Sequence, residues 1–171
     1  MTAEIIVLRL VHVVGGIFWV GAILFNSLFL FPAMMEAGPG AGAVMAGLQR
    51  RKMMSILPLV ALLTILAGAR LMSIASAGSG GQYFQSTTGR TLAIGAAAGI
   101  IAFFIGILVG RPSGMRAGQL AAAIAKAPES ERATLAAELA AVNRRAKLAS
   151  NSVVVLLVIA AGAMAVARYL G

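Results

Sequence analysis

The sequence predicts an all-α fold: an integral membrane bundle of four helices, with a cytoplasmic helical hairpin between the third and the fourth. Three observations carry this expectation. Hydrophobic residues make up 60% of the 171 positions and charged residues only 11%, against about 25% charged in an ordinary soluble domain. Apolar runs that meet the ~20 residues needed to cross a bilayer core recur at about 5–33, 53–75, 91–109 and 149–169. The basic residues gather in two of the connections between those runs. A single transmembrane domain over residues 1–171 accounts for the chain and leaves no room for a separate soluble one.

The first run, Ile5 to Ala33, carries the only histidine, His12, and the only tryptophan, Trp19. Its leader, Met-Thr-Ala-Glu, has no basic residue, and the run far exceeds a signal-peptide core of about 7 to 15 residues, so it reads as a retained span. His12, Trp19 and Asn26 recur every seven positions. On a helix each is displaced from the last by only about 20°, so the three share a stripe that is not made for lipid.

The second, third and fourth spans are Met53–Ala75, Thr91–Val109 and Ala149–Tyr169. The third is interrupted only by glycines, which membrane helices tolerate because the backbone stays bonded within the helix. Gly95, Gly99, Gly106 and Gly110, with Ala98 and Ala102 between them, fall within about 60° of arc and form a smooth strip. Such a strip beds either a neighbouring helix in small-xxx-small packing or the face of a planar cofactor.

The connections assign the topology. Arg50, Arg51 and Lys52 lie between the first two spans, and Arg111, Arg116, Lys126, Arg132, Arg144, Arg145 and Lys147 between the last two. Arg9, Arg70, Arg90 and Arg168 remain, all at or near span ends. The positive-inside rule then puts both basic loops in the cytoplasm and both termini outside. The net charge of +9 thus reads as a topology signal with some attraction to anionic lipid heads, and nucleic acid is not needed as a partner.

Within the longer loop, 111–148, Pro128 followed by Glu129 and Glu131 marks a helix start. No Gly or Pro then interrupts before Gly162, so this arm is expected to run straight into the fourth span. Its stripe of Leu135, Leu139 and Val142 either packs on Leu120 and Ile124 of the first arm or faces a partner. The loop from Ser76 to Arg90, rich in Gly, Ser and Gln, reads as a flexible connector with Tyr83 and Phe84 at the interface.

The candidate site centres on His12. It lies seven residues into an outside-in helix, ~10 Å deep at 1.5 Å per residue, and an ionisable group at such depth is a functional candidate by default. Gly15 and Gly16 leave open space beside the imidazole. One histidine cannot supply bis-histidine ligation, so Met72 and Met164, near the outer ends of the second and fourth spans, are the candidate second axial ligands to a haem iron; in a chain with nine methionines the commoner role of each is a plain apolar filler. Arg9, Arg70 and Arg90 could pair with propionates or simply snorkel to the interface.

Each of these residues has a structural alternative. His12 could bond a carbonyl or hydroxyl of a neighbouring span, Trp19 could be core, and Asn26 with Asn151 could tie the first helix to the fourth. Other chemistries lack their residues: there is no cysteine, no acid within a span, no phosphate-binding glycine loop, no cluster with metal spacing, and no nucleophile with a neighbouring base.

Leu10, His12, Gly16, Trp19, Gly21 and Phe25, within "LRLVHVVGGIFWVGAILF", resemble the first helix of small bacterial membrane families that carry a histidine followed by Trp-x-Gly. These include copper-resistance protein D, the J-type protoporphyrinogen oxidase and related four-helix proteins. By this resemblance His12 would ligate a b-type haem. The oxidase also uses a lysine in a later span, whereas no lysine occupies a span here, a departure that counts against porphyrinogen oxidation. Two functions are therefore expected: haem or tetrapyrrole binding through His12 in a redox or haem-pathway role, or a non-catalytic subunit of a larger respiratory or photosynthetic membrane complex. Either suits a homo-oligomer or a multi-subunit assembly.

Overall fold

The computed structural model describes residues 2–38, 41–79 and 82–170, and among them the chain is all-helical. Helix α1 (Ala3–Phe25) passes through a five-residue π segment, Asn26–Leu30, into α2 (Phe31–Glu36). Then come α3 (Ala41–Arg50) and α4 (Met53–Ala77), followed by a 3-10 turn at Tyr83–Gln85. Helix α5 (Thr87–Ile105) runs through a second π segment, Gly106–Gly110, into α6 (Arg111–Lys126). Helix α7 (Glu129–Val166) closes with a 3-10 turn at Ala167–Tyr169. The resulting rods, Ala3–Glu36, Met53–Ala77, Thr87–Lys126 and Glu129–Tyr169, are long and apolar enough to cross a membrane.

The rods outrun the expected spans, and the two π segments explain how. Each precedes a proline, Pro32 and Pro112, within the next two residues. Proline has no N–H and its ring crowds the preceding turn, which normally ends or kinks a helix. Here Phe31 N–H reaches back to the carbonyl of Asn26, and Arg111 N–H to that of Gly106. That five-residue reach resets the register just before the ring, so both helices continue. The hairpin arms are consequently extensions of the third and fourth rods, and α7 runs unbroken for 38 residues.

The connector expected to be flexible is built around a cap instead. Ser86 Oγ donates to the Tyr83 carbonyl at 2.7 Å and accepts from Gly89 N–H at 3.0 Å. A serine N-cap of this kind satisfies a donor that the first turn of α5 would leave bare. Gly80 and Gly81 of the same connector lie outside the described residues.

The long helices pack as two close pairs, α1 on α4 and α5 on α7, and α4 against α5 and α1 against α7 close the ring. Trp19 fills the centre, buried with Ala61 of α4, Ala102 of α5 and Val153 and Leu157 of α7. One large ring among small and branched neighbours lets four backbones converge, the alternation that close packing requires. On α1 the two faces separate sharply: Trp19 is 7% exposed and Ile17, two residues earlier, 70%. The heptad stripe is therefore internal, with His12 and Asn26 half-buried on either side of Trp19. Apolar residues such as Leu10, Ile17, Phe18, Phe29, Leu66 and Leu108 cover the outside.

The hairpin is closed upon itself. Leu120 of α6 is fully buried, and Leu135, Leu139 and Val142 of α7 are half-buried, with α6 lying along α7. Arg116 and Glu138 bridge the two arms at 2.6 Å. The stripe lies half-buried on the arm that packs along α6, in keeping with the internal alternative.

Candidate functional site

His12 lies on the seam between α1 and α4. Its Nδ1 is 2.8 Å from the backbone carbonyl oxygen of Thr64. The carbonyl can only accept, so Nδ1–H donates, and in the neutral ring the lone pair falls on Nε2. The Thr64 carbonyl is reachable because Gly68 stands one turn further along α4. A helical side chain leans back over the preceding turn, and a Cβ at Gly68 would stand 2.6 Å from His12 Cε1 and 2.8 Å from Nδ1. With no side chain there, the imidazole lies directly on the helix.

The space expected beside the imidazole at Gly15 and Gly16 is filled. A Cβ at Gly15 would collide with the Thr64 hydroxyl, and one at Gly16 would lie 3.8 Å from Thr64 Cγ2. Thr64 is 5% exposed, and its hydroxyl donates to the Val60 carbonyl at 2.8 Å. Gly15 therefore admits a neighbouring helix: without a side chain there, α4 comes close enough for His12 to bond its backbone. Sequence reasoning missed Thr64 and Gly68. The signal was present in Ala61, Thr64, Ala67 and Gly68, small residues at spacings of three and four in the second span.

The remaining candidates divide between the two seams. Met72 is half-buried on α4, four residues beyond Gly68 and hence on the same helical face. Met164 belongs to the other seam, where its Cε would be 3.5 Å from a Cβ at Gly95. Trp19 is enclosed by protein on all four helices. Arg70 is paired with Glu4 at 2.8 Å, tying the end of α4 to the start of α1, with both side chains about half exposed. Arg9 is exposed three residues before His12, and Arg90 is exposed in the first turn of α5.

The glycine strip of the third span divides at the π segment. Gly95, Ala98, Gly99 and Ala102 are buried, and Cβ atoms at Gly95 and Gly99 would meet Ala163 at 2.9 Å and Ala160 at 4.0 Å. This half beds α7. Gly106 has nothing within 4 Å, and Gly110 only the Ile105 carbonyl of its own rod, so this half of the strip beds no neighbouring helix. The expected link between Asn26 and Asn151 falls one position away, as Ser27 Oγ and Ser150 Oγ bond at 2.7 Å.

Among the described residues no group of three or more His, Cys, Asp or Glu side chains could hold a metal ion. A metal bound through His12 would have to bring most of its ligands with it, as the iron of a tetrapyrrole does. Comparison with known proteins finds no match: no family model, no curated protein and no solved structure matches this chain.

Proposed function

We propose that this chain is an integral membrane protein of the bacterial inner membrane, with both termini outside, that binds a b-type haem or related tetrapyrrole through His12 in a redox or haem-pathway role. The observation that carries the reading is the bond from His12 Nδ1 to the Thr64 carbonyl. Metal-binding histidines characteristically donate the other ring N–H to a carbonyl or carboxylate, which sets the tautomer and orientation and raises the basicity of the ligating nitrogen. His12 has that arrangement, with Nε2 as the nitrogen left for iron.

Met72 would be the second residue to hold the group, because it shares the α1–α4 seam whereas Met164 is engaged with α5. Gly16 and Trp19 serve packing here, Gly16 against Thr64 and Trp19 within the four-helix core. Arg9 of α1, Arg70 of α4 and Arg90 in the first turn of α5 are the cations that would pair with propionates; Arg70 would exchange its half-exposed contact with Glu4, a pair worth only about 0–1 kcal/mol. A bound haem supplies one-electron chemistry. The protein's part is to hold one imidazole in a fixed tautomer within an apolar setting.

The membrane placement rests on the four long apolar rods and their apolar exteriors, and its sidedness on the basic loops. The second reading, a non-catalytic subunit of a larger respiratory or photosynthetic membrane complex, draws on the same bond. As a tie between α1 and α4, the histidine is fully accounted for by packing. An absorption spectrum of protein expressed with ample haem discriminates the two. A Soret band abolished in His12→Ala supports ligation, and its absence in the wild type gives the case to the structural subunit.

A further inference from the structure

A second feature lies at the opposite end of the molecule from His12. The turn joining α3 to α4 is built on Lys52, whose backbone is left-handed at φ 56°. Its N–H donates to the Gln49 carbonyl at 2.9 Å, and its own carbonyl accepts from Ser55 and Ile56 N–H at 2.9 Å. This turn meets the start of α6 to form a groove of about 290 Å³, lined by Met45, Gln49, Lys52, Met54, Ser55, Arg111, Gly114 and Met115. Gly114 and Met54 lie against one another in the groove, a Cβ at Gly114 falling 3.9 Å from Met54 Cε.

The groove combines two chemistries. Three methionine side chains make much of its wall apolar and adaptable. Lys52 and Arg111 bring two positive charges from different helices, and neither has a carboxylate partner among the described residues. Glu4 is committed to Arg70 and Glu138 to Arg116; Glu36, Glu129 and Glu131 do not line the groove. Both cations stand where an apolar run meets charged sequence, Lys52 just before α4 and Arg111 where the π segment passes into α6. In a bilayer that is headgroup depth, where anionic lipid attracts each basic residue by about 1 kcal/mol.

We propose that this groove is a specific site for an acidic phospholipid, with Lys52 and Arg111 on the phosphate, Gln49 and Ser55 as further hydrogen-bonding groups, and the methionines along the start of an acyl chain. The inference rests on the membrane placement above and is independent of haem. A soluble phosphate would use the charges and waste the apolar wall, and a zwitterionic lipid would bring its own cation to a site that already has two.

The test titrates the detergent-solubilised full chain with dioleoylphosphatidylglycerol, reading bound lipid by native mass spectrometry, with dioleoylphosphatidylcholine and inorganic phosphate as comparators. Lys52→Asn with Arg111→Gln removes both charges, and asparagine is at ease in the left-handed turn. Arg144→Gln with Arg145→Gln removes the same charge from the hairpin. The groove pair should weaken phosphatidylglycerol binding about thirtyfold and the hairpin pair under about threefold. Equal losses from the two pairs, equal binding of phosphatidylcholine, or full displacement by inorganic phosphate would each overturn the proposal. If the groove pair does not fold, Met115→Glu, at an exposed position, places a carboxylate in the groove; unchanged lipid binding then refutes the site. Resistance of vesicle-reconstituted protein to alkaline carbonate extraction reads the membrane placement separately.

Discussion

At the scale of single residues, His12 and its counterpart Gly68 decide the chemistry of the α1–α4 seam. His12→Ala should remove any Soret absorbance while leaving far-ultraviolet circular dichroism unchanged, because the bond it loses is worth only about 0.6–2 kcal/mol. Met72→Ala should then shift the spectrum towards a high-spin form, and Met164→Ala should not, since only Met72 shares the seam. Gly68→Ala probes the same place with the histidine itself unchanged. A Cβ 2.6 Å from His12 Cε1 must push the ring off the Thr64 carbonyl, an overpacking cost of about 1–3 kcal/mol that thermal unfolding would register. An unchanged melting temperature would show that the seam is looser than the 2.8 Å bond requires. The histidine could be singled out from the sequence because an ionisable group inside an apolar run has few explanations. Its partner could not, because the acceptor is a backbone carbonyl, and every residue has one.

At the scale of elements, the glycines of the third rod provide a paired comparison. Gly95→Ala puts a methyl group 2.9 Å from Ala163 Cβ and 3.3 Å from the Ala160 carbonyl, so α5 and α7 must separate. A loss of about 1–3 kcal/mol is expected. Gly106→Ala meets nothing within 4 Å and should be neutral or slightly stabilising, alanine being the better helix former by about 1 kcal/mol. Equal effects in a denaturation series would mean that the strip acts as one surface after all. Sequence periodicity aligned the four glycines correctly for a regular helix. What differs is the neighbour: α7 lies against Gly95 and Gly99, and nothing lies within 4 Å of a Cβ at Gly106, a distance between helices that no periodicity announces.

For the whole molecule, Trp19 is where the four long helices meet. Trp19→Ala should cost about 3–5 kcal/mol through the cavity it leaves, more than any other single change considered, with loss of monodisperse protein as the observable. The sidedness has its own check. A reporter fused after Gly171 should be active only when exported, and activity confined to the cytoplasm would reverse the proposed orientation. Carbonate-resistant membrane association would accompany either orientation.

Composition and periodicity alone determined that the chain is helical, where its long apolar rods run, that α7 continues from the hairpin into the last rod, and which stripe of α1 turns inward. These properties are local: they follow from runs of side chains along one helix and from the energy of placing them in or out of water. Only the tertiary structure decided what each stripe meets. It brought Thr64 and Gly68 to His12, filled the space beside Gly15 and Gly16, divided the glycine strip, moved the α1–α7 link from Asn26 and Asn151 to Ser27 and Ser150, and joined Lys52 to Arg111 across two helices. Those outcomes depend on the distance and register between helices, which are set by the fit of small and large side chains across a seam, and no single helix carries that information.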